Sequence, residues 1–586
     1  MVKCMLHRPG GDFQTYVNER INLWSGCVCL TGRPLSRPPH WNERRDICLL
    51  FSGEEFSDAA DIDNLRALGH EFTTDGASHL VHLYEESGLT FLEKLNGGFS
   101  GLLVDLRKGT IVLFNDRYGL NRVYYHENPG GFYLASEAKS LLKVLADLRQ
   151  FDPKSLGEFF SCGSVLQNRT LFAGVSLLPP GSAWTFSPGQ PVTKGCYFRK
   201  EQWEQQPLLG AAEYYDRLKE AWKRIVPRYF RGDEKVGLSL TGGVDSRMIL
   251  AWAPRSAGAL PCYTFGGSYR DCADVRISRE IAAVSRQPHE VISVGSEFLS
   301  QFPSLAEEAV YLSDGALDVT GSIDVYVQRR ARTIAPVRVT GTNGGEILRR
   351  VVAFKPTGLG HDLLHPELAR WVDEASTTYD HELRGHKLSF TAFKQAPWHM
   401  GSKFVVERSQ LTLRMPYFDN ELVALAYQAP VEAEQSNDVS LRLIADGNPA
   451  LRAIGTDRGL AGRSSPGVGA VRHCFEEFLF KAEYAYDYGM PQWLARLDHA
   501  FAPLHLERLF LGRHKFAHFR VWFRGELSEY IKDILLDGRA RARPYWSGGH
   551  VTSMIKAHLA GNRNYTREIH KLLTIELVEK TLFERN

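Results

Sequence analysis

The chain has 586 residues, 44% of them hydrophobic and 24% charged. That is too long for one compact core and too apolar for a disordered protein, so two or more globular domains are expected. A formal net charge of +2 gives no whole-chain attraction to nucleic acid or an anionic membrane, and no apolar run is long enough to span a bilayer. The nine cysteines are scattered, and Met1-Val-Lys-Cys-Met-Leu-His7 has no sustained apolar core of the signal-peptide kind, so a reducing cytoplasm is expected. Cys27 and Cys29 have no His/Cys cluster near them, and strand alternation accounts for them better than a metal does.

Residues 1 to about 200 are rich in short β-type segments separated by Gly, Pro and Asp/Asn turns. Cys48–Phe51 and Gly101–Val104 read as buried strands, Ile111–Asp116 and Val123–His126 as a pair around a turn, and His79–Leu95 as helix by periodicity. From about Ser187 to Pro207 the chain turns Pro-, Gly- and Gln-rich, the composition of a linker, and a helix is expected over Ala211–Ile225.

The next stretch, Glu234 to Ala253, is the most informative. Val236, Leu238 and Leu240 are the short apolar run of a buried parallel strand, and Met248, Ile249, Leu250 and Trp252 supply apolar faces to a helix. Thr241, Gly242 and Gly243 fill the turn between them. Glycine lets the backbone approach a ligand, and the helix N-terminus beyond leaves unpaired N–H groups and partial positive charge facing the turn. Such a turn binds phosphate, with Thr241 and Ser246 adding hydroxyls and Asp245 free to cap the helix or help hold a metal. No Gly-Lys-Ser/Thr closes it, so it is not a Walker A loop.

Leu260–Gly267 and Pro288–Ser293 read as further parallel strands, with Ala273–Val284 as the helix between them. Ser304–Leu312 is helical by pattern and leads into Ser313-Asp314. Val337–Leu348 repeats strand, glycine turn and helix. This alternation makes a doubly wound parallel sheet, with ligands at the carboxyl ends of its strands. Trp493–Asn586 reads as helical.

The string Thr241-Gly-Gly-Val-Asp-Ser246 resembles the SGGxDS pyrophosphate loop of the ATP pyrophosphatase superfamily, with Thr241 keeping the hydroxyl of the usual Ser. In the first half, Leu95-Asn-Gly-Gly-Phe-Ser-Gly-Leu-Leu103, Asn115–Tyr125, Leu134–Leu142 and Thr170–Gly181 resemble the class II glutamine amidotransferase module of asparagine synthetases. The resemblance covers nearly the whole chain. It implies an α+β N-terminal-nucleophile sandwich (αββα) over residues 1–200, then a doubly wound α/β ATP-pyrophosphatase domain with a helical C-terminal region over 201–586.

What the resemblance implies for the site is specific. ATP would lie on Leu238, Thr241, Gly242, Gly243, Val244, Asp245 and Ser246, with Thr264, Phe265 and Gly266 beside adenine and Thr340 and Gly341 on a second phosphate-side loop. Asp245 and Glu346 would hold Mg²⁺. Asp245, Asp314, Glu346 and Arg458 would serve the chemistry, Asp314 pointing into the site and Arg458 replacing the family's pyrophosphate-binding Lys. Asp274 is either a helix N-cap or a neighbour of the phosphates. Arg414 and Asp419, in Leu413–Leu422, match the RxPFLD signature and are expected to pair.

Three departures accompany the match. The glutaminase nucleophile is a Cys at position 2, where Val2 stands here, and Cys4 is expected to be structural. The NGE segment becomes Ser52-Gly53-Glu54, without its amide donor, and the glutamine-binding positions fall on Arg33, Gly53 and Asp75. The family's second loop, SGEGSDE, becomes Thr340-Gly-Thr-Asn-Gly-Gly-Glu346, with Thr342 and Gly345 in place of its first Glu and its metal-binding Asp.

The resemblance therefore implies ATP-dependent amide formation through an acyl adenylate with a degenerate glutaminase. The partners would be a small-molecule or peptide carboxylate and an amine from glutamine, free ammonia or the substrate itself, with no nucleic acid or membrane; a homodimer is compatible. An asparagine synthetase, a lasso-peptide cyclase or β-lactam synthetase-like ligase, and a non-catalytic nucleotide-binding scaffold all remain open.

Overall fold

The computed structural model describes residues 1–7, 11–29, 38–56, 58–73, 76–358, 361–460, 466–500, 507 and 510–584. The first half carries β1 (Asp12–Asn18) and β2 (Leu23–Cys29), an antiparallel hairpin, followed by β3 (His40–Trp41), β4 (Ile47–Glu55), β5 (Gly97–Asp105), β6 (Thr110–Asn115), β7 (Tyr124–Asn128), β8 (Gly131–Ala135), β9 (Ser176–Leu177), β10 (Ser182–Phe186) and β11 (Thr193–Cys196). Six of these form one antiparallel sheet in the order β11-β10-β6-β5-β4-β3, and a smaller sheet has the order β8-β7-β9.

Strand alternation decides the layers. Leu49, Leu103, Val112 and Phe114 face one way and pack on Leu80, Val81, Leu83 and Tyr84 of helix α1 (His79–Ser87). Leu50, Leu102 and Leu113 face the other way, onto Tyr125, Phe132 and Leu134 of the smaller sheet. Helix α2 (Ala138–Val144) covers that sheet from outside. Helix, sheet, sheet, helix is the expected αββα sandwich.

Two expectations in this half are corrected. The segments 111–116 and 123–126 do not pair; they lie in different sheets. Asp116 is the reason: its buried carboxylate accepts N–H bonds from Tyr118 and Leu120 (3.0 Å each) and Asn121 (2.9 Å), a compact turn that lifts the chain to the second layer. The Pro- and Gly-rich stretch after Ser187 is not a slack linker, because it returns as β11, the edge of the six-stranded sheet.

The second half holds β12 (Val236–Ser239), β13 (Cys262–Gly267), β14 (His289–Val294), β15 (Val337–Thr340) and β16 (Thr412–Arg414), all parallel, in the order β14-β13-β12-β15-β16. The chain runs outward from β12 to one side, then returns to fill the other. The switch point therefore lies between β12 and β15, where open α/β sheets place their ligands.

The crossover helices are α3 (Ala211–Arg228), α4 (Asp245–Trp252), α5 (Ala273–Val284), α6 (Ser296–Leu312), α7 (Gly321–Ile334), α8 (Gly344–Leu348) and α9 (Gly401–Gln410). Leu238, Leu240, Val337 and Val339 join Trp222, Ile249 and Phe302 in one core that runs on into the C-terminal helix α10 (Thr566–Val578), which is buried on nearly every side. Each such fully buried large side chain contributes about 1.5–3 kcal/mol.

The two halves are tied by polar contacts over long sequence distances. Asn96 donates to Asp419 Oδ2 (2.8 Å), and Asn420 N donates back to Asn96 Oδ1 (2.9 Å). Arg414 forks onto Glu54 (2.8–3.2 Å) and caps the carbonyls of Tyr229 and Arg231. The expected Arg414–Asp419 pair does not form. Arg414 reaches across to β4, while Asp419 is an N-cap, accepting from Glu421 N, and binds Asn96 and Arg228.

Candidate active site

The loop after β12 is built by its own sequence. Gly242 is tightly enclosed, since a Cβ there would lie 3.0 Å from Asp457 Cβ and Ile277 Cδ1, whereas Gly243 faces more open space. Thr241 N donates to Ser246 Oγ (3.1 Å), and the Thr241 and Ser246 hydroxyls lie 3.2 Å apart. The buried Arg247 guanidinium pins the loop from behind, donating to the carbonyls of Gly242 (3.1 Å), Ile454 (2.6 Å) and Gly455 (3.0 Å). No side chain caps the N-terminus of α4, so the partial positive charge of that helix end faces the turn uncompensated by a cap. Leu238 and Val244 are buried and support the loop from the core.

The second turn interlocks with the first. A Cβ on Gly341 would fall 2.5 Å from Ser246 N, and one on Gly344 would fall 2.5 Å from Asp245 Cγ, so these two glycines let the turn after β15 lie against the start of α4. Asn343 takes the left-handed conformation (φ 70°) that the turn demands. Its amide is buried, and neither its nitrogen nor its oxygen bonds another group among the described residues.

Charge in this second turn is arranged differently from the sequence expectation. Both oxygens of Asp245 accept from Arg349 Nη2 at 3.0 Å, and the vector of the missing Gly345 side chain points at the same guanidinium, 3.2 Å away. Burial pushes the Asp245 carboxyl up, opposed by Arg349; burial also raises Glu346, reinforced by the charge of Asp245. The structure thus brings Asp245 and Glu346 together, but with a cation already on Asp245. Arg349 lies one residue past the segment the sequence pattern singled out, and its only signal was a basic pair closing a short helix.

Beside the first loop stands an acidic wall. Asp274, in the first turn of α5, is not the helix cap, which falls on Cys272; its Oδ1 accepts from Gly242 N at 2.6 Å. A carboxylate therefore already occupies one anion-binding N–H of the loop. Burial raises the Asp274 carboxyl, and the neighbouring charge of Asp457 raises it further. Asp457 closes on the loop from the other chain direction, its N–H donating to Gly242 O (3.2 Å). Asp457 escaped the sequence reading because it approaches from more than 200 residues away.

Other expected site residues are placed as follows. Arg458 lies next to this wall, but it donates to Glu477 Oε2 (2.7 Å) and stacks on Phe480, its Cζ 3.3 Å from the ring centroid. Thr264 spends its hydroxyl on Leu240 O (3.0 Å) and His289 Nε2 (2.9 Å), so it braces β13. Phe265 is partly exposed between Arg338 and Phe516, a wall residue, and Gly266 is buried beneath Val275 and Val291. The Thr340 hydroxyl lies 2.8 Å from that of Thr342 at the mouth of the second turn.

Asp314 is a correction. It does not enter this site: its oxygens accept the N–H groups of Ala138 (2.7 Å) and Lys139 (3.0 Å) and the Lys139 ammonium (3.2 Å), at the start of α2 in the other half. A carboxylate on a helix N-terminus is satisfied there, and it clasps the two halves.

On the amidotransferase side, Arg33 and Asp75 lie outside the described residues. Gly53 (φ 107°) lets β4 press on β5, since a Cβ would meet Gly98 O at 2.2 Å, and it lines an interdomain cavity of about 330 Å³ with Asn121, Arg408 and Arg414. Glu54 is taken by Arg414. The Cys4 thiol donates to Met1 O (2.7 Å), within the short turn Val2–Met5.

Comparison with known proteins agrees with this architecture. Residues 1–197 match the family model described as a glutamine amidotransferase domain, and residues 217–348 that described as asparagine synthase. The chain is 27% identical over 357 residues to asparagine synthetase [glutamine-hydrolyzing] 1 of Bacillus subtilis, covering 57% of this chain and 53% of that protein. It is 26% identical over 418 residues to a putative asparagine synthetase of Mycobacterium tuberculosis, covering 68% and 62%, and 25% identical over 451 residues to one from Methanocaldococcus jannaschii, covering 75% of each. The chain spans about half the length of the Bacillus protein.

Proposed function

Because the chain belongs to the asparagine synthetase-like family, with an amidotransferase-type domain ahead of a synthetase-type one, we propose that it is an ATP-dependent ligase that forms an amide bond on a carboxylate substrate. We place the boundary between its two functional units near residue 200. The observation that carries the reading is the pair of interlocked glycine turns at the switch point of the sheet, where two hydroxyls gather at the start of α4 and the adjoining turn lies against them through Gly341 and Gly344.

ATP would lie with its phosphates along Thr241–Ser246, in the place Asp274 now holds on Gly242 N. A substrate carboxylate oxygen attacks the α-phosphorus, the bond to pyrophosphate breaks, and an acyl adenylate forms. An amine nitrogen then attacks the acyl carbon, AMP leaves, and the nitrogen gives up a proton. The protein's contribution is positioning, and neutralisation of charge on the leaving pyrophosphate. The residues do not build a metal cage: Asp245 is engaged by Arg349, and Gly345 stands where the resemblance places a carboxylate. Part of the neutralisation would fall to Arg349.

The altered second turn favours an acid other than free aspartate. The engagement of Glu54 by Arg414 favours an amine that does not come from glutamine. Carboxylate-dependent exchange of labelled pyrophosphate into ATP tests the reading, run over a panel of small and peptide acids that includes aspartate. Exchange should require one of these acids and fall at least about 100-fold in Asp245→Asn. Exchange that survives in Asp245→Asn would mean the nucleotide lies elsewhere, and glutamate release from glutamine would restore the glutaminase.

A further inference from the structure

Away from this site, four side chains from three separate segments of the amidotransferase-like half converge on one point. Glu43 comes from the turn between β3 and β4, His70 from the irregular segment that follows the helix Ala59–Ala67, and His82 and Glu85 from one face of α1, three residues apart. One ligand atom of each, an imidazole nitrogen or a carboxylate oxygen, lies within 4.8 Å of every other. His70 Nδ1 is 3.5 Å from Glu43 Oε1, while His82 Nδ1 is 3.0 Å from Glu85 Oε2 and 3.6 Å from Glu43 Oε2. The two imidazole rings are 4.6 Å apart.

We propose that Glu43, His70, His82 and Glu85 form a binding site for a divalent transition metal, zinc(II) in chemical class. Two imidazoles with two carboxylates make a nitrogen–oxygen donor set that zinc accepts in tetrahedral geometry, and two carboxylates balance the ion's charge. With bonds of about 2.0–2.2 Å, a tetrahedral ion needs donors within a few ångströms of one another, as these are.

The surroundings hold these donors in the orientation that ligation requires. His70 turns its other nitrogen, Nε2, to Glu86 Oε1 at 2.9 Å, the carboxylate–histidine arrangement that fixes the tautomer with Nδ1 free for a metal. The buried Asn42 donates to Glu85 Oε1 (2.8 Å), leaving Oε2 toward the cluster, and Glu71 N donates to Glu43 Oε1 (3.0 Å). His82 is almost wholly buried, with Phe72 5.6 Å from its ring. A solvated surface ion pair would need none of this support. The ion would tie the 70–73 segment and the 43 turn to α1, a staple independent of the ATP chemistry.

The test uses the full chain, stripped with chelator, desalted and titrated with zinc chloride, in the absence of nucleotide. Wild type should bind one tight equivalent, unfold at a higher temperature when loaded, and give the intense visible band of a four-coordinate site with cobalt(II). Glu43→Gln, on an accessible side chain, and His70→Ala, on a half-buried one, should stay folded by circular dichroism and lose that equivalent. Glu86→Gln should weaken binding about tenfold to a hundredfold while keeping the stoichiometry. Wild type that takes up no tight zinc, or variants that bind as wild type does, would overturn the site. His82→Ala is a poor probe alone, because its burial makes loss of folding a competing cause.

Discussion

The two glycine turns at the head of the parallel sheet share one plan and differ in the side chains they bring to it. Each is a strand, a tight turn and a helix, and they touch through glycines that admit no side chain. The turn after β12 keeps hydroxyls and an uncapped helix end, a surface for anions. The turn after β15 has Gly345 facing the Arg349 guanidinium, which closes on Asp245. The first turn offers backbone and hydroxyl groups, while the second adds a side-chain cation, Arg349, beside the carboxylates of Asp245 and Glu346.

Removing Arg349 breaks this comparison most strongly. Arg349→Ala leaves Asp245 and Glu346 facing phosphate without their cation, so pyrophosphate exchange should fall about 10²–10³-fold. If Arg349 stands in for a metal, Gly345→Asp combined with Arg349→Ala should regain part of that loss only at raised Mg²⁺. Gly341→Ala comes next: its Cβ would press on Ser246 backbone nitrogen at 2.5 Å, which cannot yield as a side chain can. A cost of about 2 kcal/mol in chemical denaturation is expected, with loss of ATP binding in proportion.

Ser246→Ala removes one hydroxyl from the first turn. About 1 kcal/mol, or roughly fivefold in ATP affinity, should go by calorimetry. The smallest effect is a slope against pH. The Asp274 carboxyl is raised by burial and by Asp457, so it holds its proton to higher pH than an exposed Asp does. Protonated, it does not repel phosphate, and ATP should bind more tightly as pH falls and more weakly as pH rises through the raised value. The stability sign agrees: a raised carboxyl contributes stability below its unfolded pKa, and that contribution is lost as pH rises through the folded one. Asp274→Asn, which still offers an oxygen to Gly242 N, should flatten both profiles.

What the sequence disclosed follows the same division. Strand, turn and helix around residues 241–246 were legible because periodicity and glycine placement are local properties of a chain. The helix 273–284 fell on its observed bounds for that reason. Side-chain partners were not legible, because they depend on what folds back. Arg414 was expected to meet Asp419, five residues on, and found Glu54, 360 residues away. Asp314 was expected to point into the site and instead caps a helix of the other half. Arg349, Asp457 and the buried amide of Asn343 carried no periodic signal. The four-residue histidine and glutamate cluster carried none either, since its members come from three segments of different spacing.

The claim on which all of this rests is that the turn from Thr241 to Ser246 receives a nucleotide's phosphates. A crystal structure with a non-hydrolysable ATP analogue measures it directly. The account predicts the triphosphate against the N–H groups at the start of α4, with the Asp274 carboxylate withdrawn from Gly242 N. An analogue bound elsewhere, with Asp274 still 2.6 Å from that nitrogen, would contradict it.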